Sequence, residues 1–201
     1  GSVKTYNEQI ITLIQEKKII RSRDIDTLDI PREYLKRLSD TGVIEQIARG
    51  TYALADSMDI EYADLLEVSV RVPNSVVCLI SALEYYELST QLPFELWIAI
   101  KGTSWLPKID YPPINVSRFS GDAFHYGIEE KNISGVPVKM YSIAKTIADC
   151  FKFRNKIGLD VAIEALREGI KDNRTHIDDI WQASKICRVQ NIIKPYLEAI
   201  V

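Results

Sequence analysis

Ile30-Pro-Arg-Glu-Tyr-Leu-Lys-Arg-Leu-Ser-Asp-Thr-Gly-Val-Ile-Glu-Gln-Ile-Ala-Arg-Gly-Thr-Tyr-Ala-Leu54 decides the fold of the N-terminal part of the chain. Pro31 is tolerated at the first position of a helix, where its missing N–H needs no partner. Leu35 and Leu38 then point one way while Arg32, Lys36 and Arg37 point elsewhere, so the spacing predicts a helix with an apolar back and a basic front. Thr41-Gly42 closes it, because glycine takes the left-handed cap without steric penalty. Val43 to Ile47 alternates as a half-buried strand, Ala48-Arg49-Gly50 turns, and Thr51 to Leu54 returns. Upstream, Ile10, Leu13 and Ile14 recur at helical spacing, and Ser22 stands where an N-cap would open a short second helix through Arg23, Asp24 and Ile25. Three helices followed by a hairpin is the order of a winged helix-turn-helix.

That order points to DNA. The later helix of a helix-turn-helix lies in the major groove, where Arg and Lys reach phosphates or the acceptor edge of guanine, and a protruding loop touches the adjacent backbone. The candidate DNA-binding residues are Ser22 and Arg23 on the second helix, Arg32, Tyr34, Lys36 and Arg37 on the third, and Arg49 at the hairpin tip. Tyr34 fits core packing equally well through its spacing from Leu38. Small winged helices also serve as protein-interaction modules, and a basic helix face is often only solvated. Residues 1–55 hold nine Lys and Arg against eight Asp and Glu, a net of +1 that is weak for an electrostatic footprint. The remainder carries 16 basic and 20 acidic residues, which gives the chain its net charge of −3. Useful affinity therefore calls for a dimer or paired half-sites.

With 201 residues, 46% hydrophobic and 26% charged, the composition is that of a globular protein of one large or two small domains, and two are expected, 1–55 and 56–201. The fold class expected is α+β: the winged helix-turn-helix, then a mixed α/β C-terminal domain with a small sheet and a helical last third. No apolar run of membrane-spanning length and no basic-then-apolar leader is present, so the chain reads as cytoplasmic, with no membrane partner. Cys78, Cys150 and Cys187 sit in apolar contexts at unrelated spacings, which fits buried free thiols better than disulfides or a zinc site.

Ala55-Asp56-Ser57 marks the boundary, followed by a helical pattern through Tyr62, Leu65, Leu66 and Val70 that Pro73-Asn74 breaks. Val76 to Leu79 reads as a short buried strand, and Ser81 as the cap of a helix through Leu83 to Tyr86. Leu96–Ile100, Ile114–Val116, Ala123–Ile128 and Val136–Tyr141 are strand-like and punctuated by Pro and Gly. Ser142 is placed as the N-cap of a helix with Ile143, Ile147 and Phe151 on one face. Further helical stripes run from Leu159 to Ile170, from Thr175 through Trp181, and from Ile193 to Ile200.

Catalytic and cofactor signatures are absent. His125 and His176 lie in no metal or catalytic spacing. Ser142-Ile-Ala-Lys145 matches S-x-x-K, but its S-D-N and K-T-G companions are missing, and the same residues read as a capped helix start with an exposed lysine. No glycine-rich nucleotide loop is present, and Asp149, Glu164 and Glu168 fit a nuclease site poorly. No enzyme activity, metal or cofactor is expected. Lys101, Lys108, Arg118 and Lys131 could extend a DNA surface, with solvated charge the plainer reading.

The chain resembles the AbiEi-type antitoxins, regulators of viral-defence systems in bacteria and archaea. The resemblance runs over the whole chain. It is carried by Ile30 to Leu38, Gly42 to Tyr52, Val76-Val-Cys-Leu-Ile-Ser-Ala-Leu-Glu-Tyr-Tyr86, Val138-Lys-Met-Tyr-Ser-Ile-Ala-Lys-Thr-Ile-Ala-Asp-Cys150, Gly158-Leu-Asp-Val-Ala-Ile-Glu-Ala-Leu-Arg167 and Tyr196-Leu-Glu-Ala-Ile200. The family more often has Pro-Glu-Arg-Thr where this chain has Ile143-Ala-Lys145-Thr146, and His where it has Ile80. The resemblance implies a winged-helix repressor that binds inverted repeats in its own promoter, self-associates on DNA and counteracts a nucleotidyltransferase-like toxin, often without a stable complex. It places Arg32, Lys36 and Arg37 in the major groove and Arg49 on the backbone or minor groove. A protein-binding antitoxin whose winged helix is vestigial is the alternative, favoured by the +1 balance and the acidic C-terminal part.

Overall fold

The computed structural model describes residues 3–55 and 62–200. The chain divides into two compact units, one of residues 1–73 with 131–138 and one of 74–130 with 139–201. The boundary expected at Ala55-Asp56-Ser57 runs into residues outside those described.

In the first unit, α1 (Tyr6–Lys17), β1 (Ile19–Arg21), α2 (Ser22–Asp26) and α3 (Glu33–Asp40) precede the hairpin β2 (Ile44–Ala48) and β3 (Thr51–Leu54), with α4 (Ala63–Arg71) after it. The sheet order is β1-β3-β2, antiparallel throughout. Thr5 caps α1 through its hydroxyl, which accepts from the Glu8 N–H at 3.2 Å, and the Glu8 carboxylate accepts in return from the Thr5 N–H. Ile10, Ile14, Ile20, Ile25, Ile30, Leu35, Leu38, Ile44 and Tyr52 form one buried cluster. Each such aliphatic side chain contributes about 1.5–3 kcal/mol by leaving water.

Two starts differ from the sequence expectation. Ser22 is the first residue of α2, and Arg21 is its extended N-cap, because β1 pairs Arg21 with Thr51. The Asp24 carboxylate accepts from the Arg21 N–H at 2.8 Å. α3 opens at Glu33 rather than Pro31, since the Pro31 and Arg32 carbonyls accept from Tyr34 and Leu35 in a tight lead-in turn.

Residues 76–141 carry a mixed five-stranded sheet of order β6-β5-β4-β8-β7, from β4 (Val76–Val77), β5 (Leu96–Lys101), β6 (Ile114–Phe119), β7 (Ile128–Ile133) and β8 (Val136–Tyr141), of which residues 131–138 count with the first unit and the rest with the second. β4 runs antiparallel to β5 and parallel to β8, while β5 and β6 are parallel. The helices are α5 (Leu79–Tyr86), α6 (Asp122–His125), α7 (Ile143–Lys152), α8 (Arg154–Ile157), α9 (Leu159–Ile170), α10 (Ile177–Ile186) and α11 (Gln190–Ile200). α7 packs against α5, α9, α10 and α11. It is buried on every side from Ala144 to Phe151, so even its polar positions had to find partners inside.

Residues 122–125 form a helical turn where a strand was expected, because the Phe124 and His125 N–H groups bond back to the Gly121 carbonyl. Ser81 lies inside α5, whose cap is Cys78, and its buried hydroxyl accepts from the Trp97 N–H at 2.8 Å. α10 is capped by His176, while the Thr175 N–H is spent on the Gly169 carbonyl. Cys78, Cys150 and Cys187 are free and buried. No helix among the described residues is long and apolar enough to cross a membrane.

Candidate nucleic-acid interface

α3 is held from behind by Leu35 and Leu38 and presents Glu33, Lys36, Arg37 and Asp40 outward, all exposed. At about 100° per residue these four share the face opposite the core. The front of α3 is therefore mixed in charge, not basic as the sequence expectation had it.

Arg37 lies 3.6 Å from Glu33 one turn back, and its guanidinium stands over the Tyr34 ring at 4.9 Å. Such an exposed pair is worth about 0.3–0.5 kcal/mol, which a phosphate can outbid. Tyr34 is half-buried, packs against the core cluster and meets Tyr6 edge-on at 5.0 Å. It is a packing residue that props Arg37.

Arg32 is engaged differently. Its Nε and a terminal nitrogen donate to the two Asp26 carboxylate oxygens at 3.1 and 2.6 Å. Asp26 ends α2 and Arg32 precedes α3, so the fork closes the turn between the helices. This hydrogen bonding from Arg32 holds the Asp26 carboxyl below its ordinary range, and Asp26 in turn raises the Arg32 guanidinium.

Lys36, Arg23 and Arg49 are exposed, and none makes an ion pair with a described residue. Arg49 occupies the two-residue tip between Ala48 and Thr51, which are paired. The Ser22 N–H donates to the Gly50 carbonyl at 2.9 Å, so the start of α2 and the hairpin tip are tied together. Ser22 thus serves to place the tip near α2. Arg21, unmarked in the sequence reading, bonds the Val70 carbonyl with its guanidinium, and burial lowers its pKa. Its signal was its place at the end of a short apolar run, where a long side chain turns inward.

Among the described residues no cluster of His, Cys, Asp and Glu could hold a metal ion. The S-x-x-K lysine is buried, not exposed. Lys145 Nζ donates to both Asp149 carboxylate oxygens at 2.8 and 2.6 Å, and Ser142 serves as the α7 cap by accepting from the Lys145 N–H.

No curated protein matches this sequence. A crystal structure of the RV2827C protein from Mycobacterium tuberculosis is similar with a TM-score of 0.49 at 11% identity, covering 94% of this chain and 78% of that one. Residues 8–55, the segment from α1 through β3, match the model of the family described as transcriptional regulator, AbiEi antitoxin, and over that segment the resemblance read from the sequence holds.

Proposed function

We propose that the N-terminal unit is a winged helix-turn-helix that binds duplex promoter DNA, and that the protein is an antitoxin repressing its own operon. α3 is the recognition helix, with Lys36 and Arg37 as groove or phosphate contacts, and Arg49 at the wing tip reaches the adjacent backbone. Arg23 adds a phosphate contact from α2. The observation that carries the reading is that the α1-β1-α2-α3-β2-β3 order, with exposed cations on α3 and at the tip, occupies the segment that matches an AbiEi regulator family. The partner it opposes is a nucleotidyltransferase-like toxin encoded alongside.

The mixed face of α3 favours a second reading, in which the antitoxin binds the toxin directly and DNA little. Glu33 and Asp40 would repel phosphates but suit a protein surface. A mobility-shift titration on the promoter upstream of its own gene, against a scrambled duplex at two salt concentrations, separates them. Stepwise, sequence-selective shifting that weakens with salt supports the repressor. Equal binding to both duplexes, or none, together with a stoichiometric toxin complex on a sizing column, transfers the weight to the second reading.

A further inference from the structure

The second unit holds a cleft of about 750 Å³ lined by Arg118, Lys152, Lys185 and Arg188, with Asp122 the acidic residue among its walls and Phe153 at its side. We infer that this cleft binds a small phosphorylated ligand of the nucleotide class. Its volume lies in the range of about 300–1,000 Å³ that small-molecule sites occupy.

The charge survives the obvious offset. Lys152 ends α7, and Lys185 and Arg188 stand at the end of α10, where cations answer helix dipoles. Two helix C-termini supply about half a negative charge each. Four cations against Asp122 and these dipoles still leave a surplus of about two positive charges, which a phosphate chain would neutralise. Lys152, Lys185 and Arg188 have no carboxylate partner among the described residues. Arg118 is held in place, its guanidinium donating to the Gly102 and Ser104 carbonyls at 3.1 and 2.7 Å.

The aromatic wall adds the second half of the chemistry. Phe153 is half-buried and stacks on Phe119, with ring centroids 5.4 Å apart and planes at 21°. A planar base resting beside this pair, with phosphates toward the cations, is the arrangement by which proteins hold nucleotides. A concave site of this size admits a compact ligand, whereas a duplex is too wide to enter it.

Calorimetric titration of the full chain with metal-free ATP and with inorganic triphosphate tests the inference. Both probes are expected to bind, and Lys185→Gln/Arg188→Gln to weaken both about tenfold or more, with Arg37→Ala unchanged. Tighter binding of ATP than of triphosphate assigns the ring to the aromatic wall, and equal binding assigns the phosphate chain alone. If the double variant loses its circular dichroism signature, Lys152→Gln, on another helix, serves with the same expected direction. Absence of heat at millimolar probe, or undiminished affinity in the variants, overturns the proposal. So does a short duplex that binds through these cations while triphosphate stays silent.

Discussion

Lys145 and Asp149 form an ion pair one turn apart on α7, with side chains 0% and 2% exposed. The ammonium lies over the Tyr141 ring at 4.0 Å and the Phe119 ring at 4.7 Å, and the Cys187 thiol reaches the same carboxylate at 3.4 Å. Burial pushes Asp149 up, and the lysine opposes that shift. Removing one partner strands a charge in the core. Lys145→Met is expected to cost about 3–5 kcal/mol, and Lys145→Met/Asp149→Leu to restore much of it. Urea melts of the two variants check this, and equal losses would count against it.

Gly127 bears on the same pair. Its φ is +78°, and a Cβ there would stand 2.7 Å from the Lys145 Cβ and 3.1 Å from the Ser142 hydroxyl. Gly127→Ala is expected to destabilise by about 2–4 kcal/mol, from the backbone conformation and the clash together. Thermal denaturation reads it directly.

The Arg32–Asp26 fork makes a contrast within the proposed recognition surface. Lys36→Ala and Arg37→Ala should weaken promoter binding and each lower the salt slope by about one if the contact is to phosphate. Asp26→Asn frees Arg32 and removes a carboxylate, so it should strengthen non-specific binding while loosening the turn between α2 and α3. Anisotropy titrations at several salt concentrations distinguish these, and an Asp26→Asn variant with unchanged affinity would leave Arg32 a clamp alone.

Alkaline stability follows from the thiols. Burial pushes Cys187 from 9.0 up to about 12 and raises Cys78 and Cys150. A group whose folded pKa exceeds its unfolded one leaves stability whole below the unfolded value and removes it as pH rises toward the folded value. Stability should therefore fall above about pH 9, and replacement of Cys187 by Ala should shrink that fall. Below pH 9 a thiol reagent should label the native chain only as fast as it opens.

Much of the first unit was legible because its signals are local. The Leu35 and Leu38 spacing, the Gly42 stop and the alternation into the hairpin depend on neighbours a few residues away, and the structure has the helix and strands within two residues of those bounds. β1 was missed, since three residues carry no period and gain strand character only by pairing with β3. The expected strand at 123–128 failed for a related reason. Its apolar residues suit a turn of helix just as well, and the bonds to the Gly121 carbonyl decide between them.

The candidate site divides in the same way. Which residues are charged, and which lie on the outer face of α3, follows from composition and helical period alone, including the Glu33 and Asp40 that temper it. The sequence by itself determined the helix–helix–helix–hairpin order and the burial of the thiols, because hydrophobic period and capping chemistry act over short stretches. Only the tertiary structure decided that Arg32 is tied to Asp26, that Lys145 is sealed with Asp149, and that Arg118 joins Lys152, Lys185 and Arg188 around one cleft. Partners for long charged side chains are set by what packs around them, and the third dimension is where that packing is chosen.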